Sequence, residues 1–262
     1  MRSRALLATA LAAALLTAAG CGGDDGGSSG SSTASKPTLT VSAAASLKRA
    51  FTAYGRRFED ASARFSFAGS DELAAQIERG VKPDVYAAAN TKLLDELYRK
   101  GLIEKPRVFA GSRLVLAVPA GATKVGSLAD AQKPGVTLAI GSESVPVGSY
   151  TRKVLDELPA GERKAILANV RSQEPDVAGI VGKLTQGAVD AGFVYISDVR
   201  GSDGRLEAIE LPKDLQPSVA YGAAVVKGAG HPKQAKAFID GLVSGAGEQE
   251  LRKAGFEPPP SG

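Results

Sequence analysis

Thr38-Leu39-Thr40-Val41-Ser42-Ala43 is a short β-prone run, and Leu47, Ala50, Phe51, Tyr54 and Phe58 follow it at three- and four-residue steps. The first pattern predicts a strand and the second an amphipathic helix packed on it. The unit then recurs. Arg64–Ala68 reads as a strand, and Leu73 and Ile77 mark a short helix. Asp84–Ala89 reads as a third strand, and Leu93, Leu94 and Leu97 mark the helix after it. Strand–helix alternation of this kind predicts an α/β fold with a parallel sheet covered on both faces.

The alternation resumes downstream. Leu114–Val118, Val136–Ile140, Ala191–Tyr195 and Val219–Val226 read as strands. Val177, Ile180, Val181 and Leu184 mark a helix, and Pro232 opens another at its first turn, where a missing N–H costs little. No short period repeats, so a solenoid is not expected. At 262 residues the chain is long enough for two compact domains, and its 44% hydrophobic and 23% charged content is that of a globular protein.

The N-terminus reads as an export segment, residues 1–20. Arg2 and Arg4 precede an apolar run, Leu6–Leu16, too short to span a bilayer, and small residues Ala18, Ala19 and Gly20 then precede Cys21. Cleavage before Cys21 would leave that residue to carry a lipid; the alternative is an ordinary signal peptide followed by a free cysteine. Cys21 is the only cysteine, so no intrachain disulfide forms. Residues 21–37 are rich in Gly and Ser and read as a flexible tether. The expected location is therefore outside the cytoplasm, on the outer face of the cell membrane. The formal charge of +4 drops to +2 when Arg2 and Arg4 are removed, too near neutral to suggest nucleic acid, whose binders usually show a concentrated basic face.

Enzyme signatures are few. The one histidine, His231, stands before Pro232 at a helix entrance, with no triad or metal partner suggested beside it. A Gly-x-Ser-x-Gly match at Gly26–Gly30 lies in the tether, without the strand and helix that a nucleophile elbow needs. No Walker loop and no tightly spaced carboxylate cluster occurs. What remains is small polar loops at strand-to-helix junctions, where open α/β sheets bind ligands. Ala43-Ala44-Ala45-Ser46-Leu47 and Phe67-Ala68-Gly69-Ser70-Asp71-Glu72-Leu73 are two of them. Each serine is either an N-cap or, since helix N-termini favour anions, a ligand group.

These loops, with Gln76-Ile77-Glu78-Arg79-Gly80, Pro83-Asp84-Val85, Val145-Pro146-Val147-Gly148-Ser149-Tyr150, Val194-Tyr195-Ile196-Ser197-Asp198 and Gly255-Phe256, occur in the order of one family. From about residue 38 to 257 the chain resembles the molybdate-binding proteins of ABC transporters. The resemblance implies a two-lobed periplasmic-binding-protein-like fold of type II, with two crossover segments and a ligand cleft between the lobes. Lobe 1 would hold 38–111 and 214–262, and lobe 2 would hold 112–213, with crossings at Phe109–Ser112 and Leu211-Pro212. It further implies oxyanion contacts from Ser46, Ser70 and Tyr195 through their hydroxyls, and from Val147, in a Val-Pro-x-Gly turn, and Val177 through main-chain N–H groups. Molybdate, fully deprotonated at neutral pH, only accepts hydrogen bonds, and tungstate is nearly the same size. The implied partners are a permease and the membrane. A monomer is expected, with no cofactor, no cationic metal and no enzymatic activity. Val147 replaces the Ala common in its turn, and Asp71 places a charge where a small neutral residue is usual. Sulfate or phosphate is the alternative ligand. An enzyme of this architecture in the porphyrin pathway would need a cofactor-bearing cysteine inside the domain, which is absent. A sensory or adhesion module is a further alternative.

Overall fold

The structure is a computed structural model and describes residues 36–260. The export segment, Cys21 and nearly all of the tether lie outside the described residues. In the first part of the chain, β1 (Thr38–Ala44), α1 (Lys48–Arg57), β2 (Ser62–Ala68), α2 (Ser70–Glu78), β3 (Val85–Ala88), α3 (Lys92–Arg99) and β4 (Arg107–Ser112) follow one another. The middle part holds β5 (Leu114–Pro119), β6 (Leu138–Gly141), α4 (Pro146–Asp156), α5 (Ala160–Ala168), β7 (Val170–Glu174), α6 (Val177–Thr185), β8 (Ala191–Tyr195), α7 (Ile196–Arg200) and β9 (Leu206–Glu210). The last part returns with β10 (Val219–Val225), α8 (Pro232–Val243) and α9 (Ala246–Lys253).

The strands form two five-stranded sheets, ordered β2-β1-β3-β10-β4 and β7-β6-β8-β5-β9. Each anchors one lobe of a two-lobed α/β fold. The parallel sheet expected from the strand–helix alternation is found as a parallel trio within each of two mixed sheets. β2, β1 and β3 are parallel, as are β7, β6 and β8, but β10 runs antiparallel to β3 and β4, and β5 runs antiparallel to β8 and β9. The antiparallel strand of each sheet is the one that arrives from the other sheet, so it needs no crossover helix on its own lobe. Phe109–Ser112, expected as a crossing, is the end of β4, and the chain passes to the second sheet at Arg113. It returns through residues 211–218, between β9 and β10.

The core explains the helix patterns. On α1, Ala50, Phe51 and Tyr54 are buried, and Phe51 meets Phe238 of α8 edge-on with ring centroids 5.6 Å apart. Burial of such a ring contributes about 1.5–3 kcal/mol. The opposite face of the first sheet is covered by Leu73, Ile77, Leu94 and Leu97 of α2 and α3. Strands buried on both faces read as continuous apolar runs, as in Leu114–Val118. With the helices on the faces, the carboxyl ends of the parallel strands are free to meet between the lobes.

Candidate functional site

At the opposite, amino-terminal ends of these strands two equivalent clasps hold them in register. The Asp84 carboxylate, ahead of β3, accepts the N–H and hydroxyl of Thr40 in β1, each at 2.7 Å. The Asp190 carboxylate, ahead of β8, accepts the N–H and hydroxyl of Thr137, also at 2.7 Å. Burial pushes the Asp84 carboxyl up, but the bonds from Thr40 and from the His231 N–H outweigh it and hold the group below its ordinary range. Asp190 is lowered too: burial again opposes, and Lys124 and Thr137 prevail. His231 is the N-cap residue of α8 and gives its N–H to Asp84 at 2.7 Å, a structural role.

The carboxyl ends of β1, β2, β3, β6, β7 and β8 then converge on one small cavity. It measures about 20 Å³. Ser46, Ser70, Val147, Val177 and Tyr195 all line it. So do Gly69, Pro146 and Asp176, which sequence reasoning missed.

Helix starts make up most of the wall. Ser70 is the first residue of α2, Val147 the second of α4 and Val177 the first of α6, so each N–H lies in a first turn without an intrahelical acceptor. The Val-Pro-x-Gly segment is thus a helix start rather than a turn, with Pro146 at the first position, where it suits the helix. Each helix adds partial positive charge directed at the cavity. No lysine or arginine lines it.

Neither serine caps a helix with its side chain. Ser70 Oγ accepts the Ala89 N–H at 3.1 Å, which leaves its own proton free to donate, and the Tyr86 hydroxyl donates to the Ser70 carbonyl at 2.8 Å and fixes the start of α2. Ser46 Oγ lies 3.0 Å from the Tyr221 hydroxyl on β10. Tyr195 is 1% exposed, and its hydroxyl has no hydrogen-bond partner among the described residues. A buried hydroxyl left this way costs about 1–3 kcal/mol. Burial, then the neighbouring Tyr221 and Tyr150 phenols, raise the Tyr195 pKa well above its ordinary value, so the group keeps its proton.

Two acidic groups modify this donor-rich wall. Asp176 lines the cavity and is the N-cap of α6, with Oδ1 accepting the Gly179 N–H at 2.9 Å. An Asp directly before an apolar helical pattern is an N-cap signal that was readable. Asp198 accepts the Tyr195 N–H at 3.0 Å, and burial first, then Asp176, push its carboxyl up to about 7. Asp71, beside Ser70, does not line the cavity, although its Oδ1 is buried without a partner among the described residues. The lobes meet closely at this edge: a Cβ on Gly69 would stand 2.6 Å from the Pro175 carbonyl of the second lobe.

The fold and this inter-lobe, donor-lined cavity define an extracytoplasmic-type solute-binding protein. The profile of the bacterial extracellular solute-binding protein family matches residues 39–257, and the chain belongs to that family. The molybdate-binding protein ModA of Mycobacterium tuberculosis H37Rv is 34% identical over 228 residues, 85% of each chain. The periplasmic molybdate-binding protein of Azotobacter vinelandii superposes with a TM-score of 0.76 at 19% identity, over 84% of this chain and 99% of that one. The sulfate-binding protein SubI of M. tuberculosis superposes with 0.75 at 17% identity, over 85% and 87%. At such identities the two structures speak for the fold alone.

Proposed function

We propose that this protein captures molybdate, and tungstate with it, outside the cytoplasm and delivers it to an ABC transporter permease. The observation that carries the reading is the convergence of three helix starts and three hydroxyl side chains on one small cavity that no cation lines. Such a site offers hydrogen-bond donors to a group that only accepts. The ModA relatives support molybdate over other oxyanions.

In this reading Ser46, Ser70 and Tyr195 donate through hydroxyls, and Val147 and Val177 through main-chain N–H groups. Residues 38–112 and those from 214 on form lobe 1, one residue beyond the expected 38–111 because Ser112 ends β4 beside Val219, residues 113–213 form lobe 2, and the lobes close on the ligand. The monomeric chain binds its cargo and catalyses nothing. Residues 1–20 direct export, and lipidated Cys21 anchors the chain to the outer face of the membrane by its tether. No helix among the described residues is long and apolar enough to cross a membrane.

Asp176 on the cavity wall favours a second reading, since a carboxylate can accept the proton of hydrogen phosphate; sulfate, without a proton, gains nothing from it. A thermal-shift panel separates the two. At about 100 times Kd an anion stabilises the folded state by about 2.7 kcal/mol. That corresponds to about 5–10 °C for a domain of this size. Molybdate and tungstate should give this shift, and sulfate and phosphate little. A shift with phosphate alone would replace the ligand.

A further inference from the structure

α1 begins two residues after Ser46, and α7 begins directly after Tyr195. Each helix continues a loop that lines the cavity, one in each lobe, and the two helices are tied together. Arg49, in the first turn of α1, donates from Nη1 to the carbonyl of Arg200, the last residue of α7, at 2.8 Å. The same nitrogen stands 3.9 Å from the Asp203 carboxylate. Asp203 is the only described residue other than glycine with positive φ, at 54°. A left-handed residue of this kind costs about 1–2 kcal/mol and persists only where its surroundings hold it.

The second lobe reaches back in the same place. The Arg200 side chain lies against Gly255 of the first lobe, where a Cβ would overlap it, and Gly255 has φ +93°. None of these residues lines the cavity. All of these contacts run between lobes, so they exist only while the lobes are together.

We propose that Arg49 and Arg200 form a reciprocal cross-lobe clasp that holds the lobes shut over a bound oxyanion and sets how slowly it leaves. The identity of the anion rests on the function proposed above. The Arg49–Asp203 pair is well exposed and adds little. The charge-assisted bond to the Arg200 carbonyl, at the end of a helix where cations are favoured, carries the effect.

The test follows binding kinetics on the full chain with molybdate, read by tyrosine fluorescence, since the chain has no tryptophan. Arg49→Ala should raise the dissociation rate about five-fold and leave the association rate within about two-fold. Arg49→Lys should recover part of the loss. Arg56→Ala, which removes a charge from the same helix but no cross-lobe bond, should leave dissociation unchanged. An unchanged dissociation rate in Arg49→Ala, or a slower association alone, overturns the clasp. If the wild type binds no oxyanion, the ligand reading fails, and the clasp is judged by hydrogen exchange at residues 200–203 of the unliganded chain. Faster exchange in Arg49→Ala then supports it, and equal exchange overturns it.

Discussion

The two sheets share one strand order, and position by position β2, β1, β3, β10 and β4 correspond to β7, β6, β8, β5 and β9. Even the clasp that precedes the third strand is repeated, as Asp84 on Thr40 and Asp190 on Thr137. The walls that the two lobes present to the cavity are not repeated. In the proposed reading the first lobe offers the hydroxyls of Ser46 and Ser70 and one main-chain N–H, that of Ser70. The second offers the main-chain N–H groups of Val147 and Val177, with Tyr195 its one side-chain donor. The scaffold is thus duplicated while the chemistry is divided, and substitutions should separate the two.

The largest effects come from two glycines. In Gly148→Ala the new Cβ would overlap the Ser142 carbonyl within the second lobe. It should unfold that lobe's wall, with a stability loss of more than about 3 kcal/mol in denaturant titration. In Gly69→Ala the new Cβ meets the Pro175 carbonyl across the lobes at 2.6 Å and, within its own lobe, only the Asp71 side chain at 2.8 Å, which can turn aside. Stability should stay near wild type while anion binding falls at least about 100-fold, because closure is blocked. Equal stability losses in the two variants would erase the distinction between lobe and closure.

The clasps come next. Asp84 is 2% exposed and accepts three protein donors, so Asp84→Asn should destabilise by about 3 kcal/mol; Asp190→Asn, at a more open site shared with Lys124, should cost about half as much. Both carboxyls titrate below their ordinary value in the folded state. Their stabilisation is therefore complete above about pH 5 and is lost as the pH falls below about 4. Acid titrations of the two variants should be flatter than that of the wild type in that window.

On the first lobe's wall, Ser46→Ala and Ser70→Ala each remove one hydroxyl but no N–H. Each should weaken molybdate binding about tenfold, or about 1.4 kcal/mol, without loss of fold, and Tyr195→Phe should do the same for the second lobe. Calorimetry on the three variants checks this, and undiminished affinity in all would place the site elsewhere.

The smallest effect belongs to Asp198, whose carboxyl is pushed up to about 7. Ionised at pH 8, it opposes an anion held beside Tyr195, and protonated at pH 6 it does not. Affinity should therefore fall a few-fold from pH 6 to pH 8, and Asp198→Asn should flatten that dependence. The folded-state pKa lies above the unfolded value, so fold stability should also fall between about pH 4 and 7, and the same substitution should remove that loss.

β1, β2, β3, β6 and β8 could be read from the chain because apolar runs and helical spacing survive without tertiary context, and the five cavity residues could be named through the family resemblance of the motifs that hold them. The edge strands β7 and β9 could not. Val170-Arg-Ser-Gln-Glu174 and Leu206-Glu-Ala-Ile-Glu210 are half-exposed and polar, so neither shows an apolar run. The antiparallel course of β5 and β10 depends on which lobe each strand joins, a long-range fact. Tyr221 is paired with Ser46 from 175 residues away, and no local pattern marks it. Asp176 and Pro146 carried readable helix-start signals.

Calorimetric titration of the purified chain with molybdate, tungstate, sulfate and phosphate is the most direct test of the division between a repeated scaffold and an oxyanion-selective cavity. One molybdate or tungstate per chain, bound at micromolar Kd or tighter, with sulfate and phosphate at least about 100-fold weaker, is the expected result. Equal binding of all four anions, or of none, would contradict it.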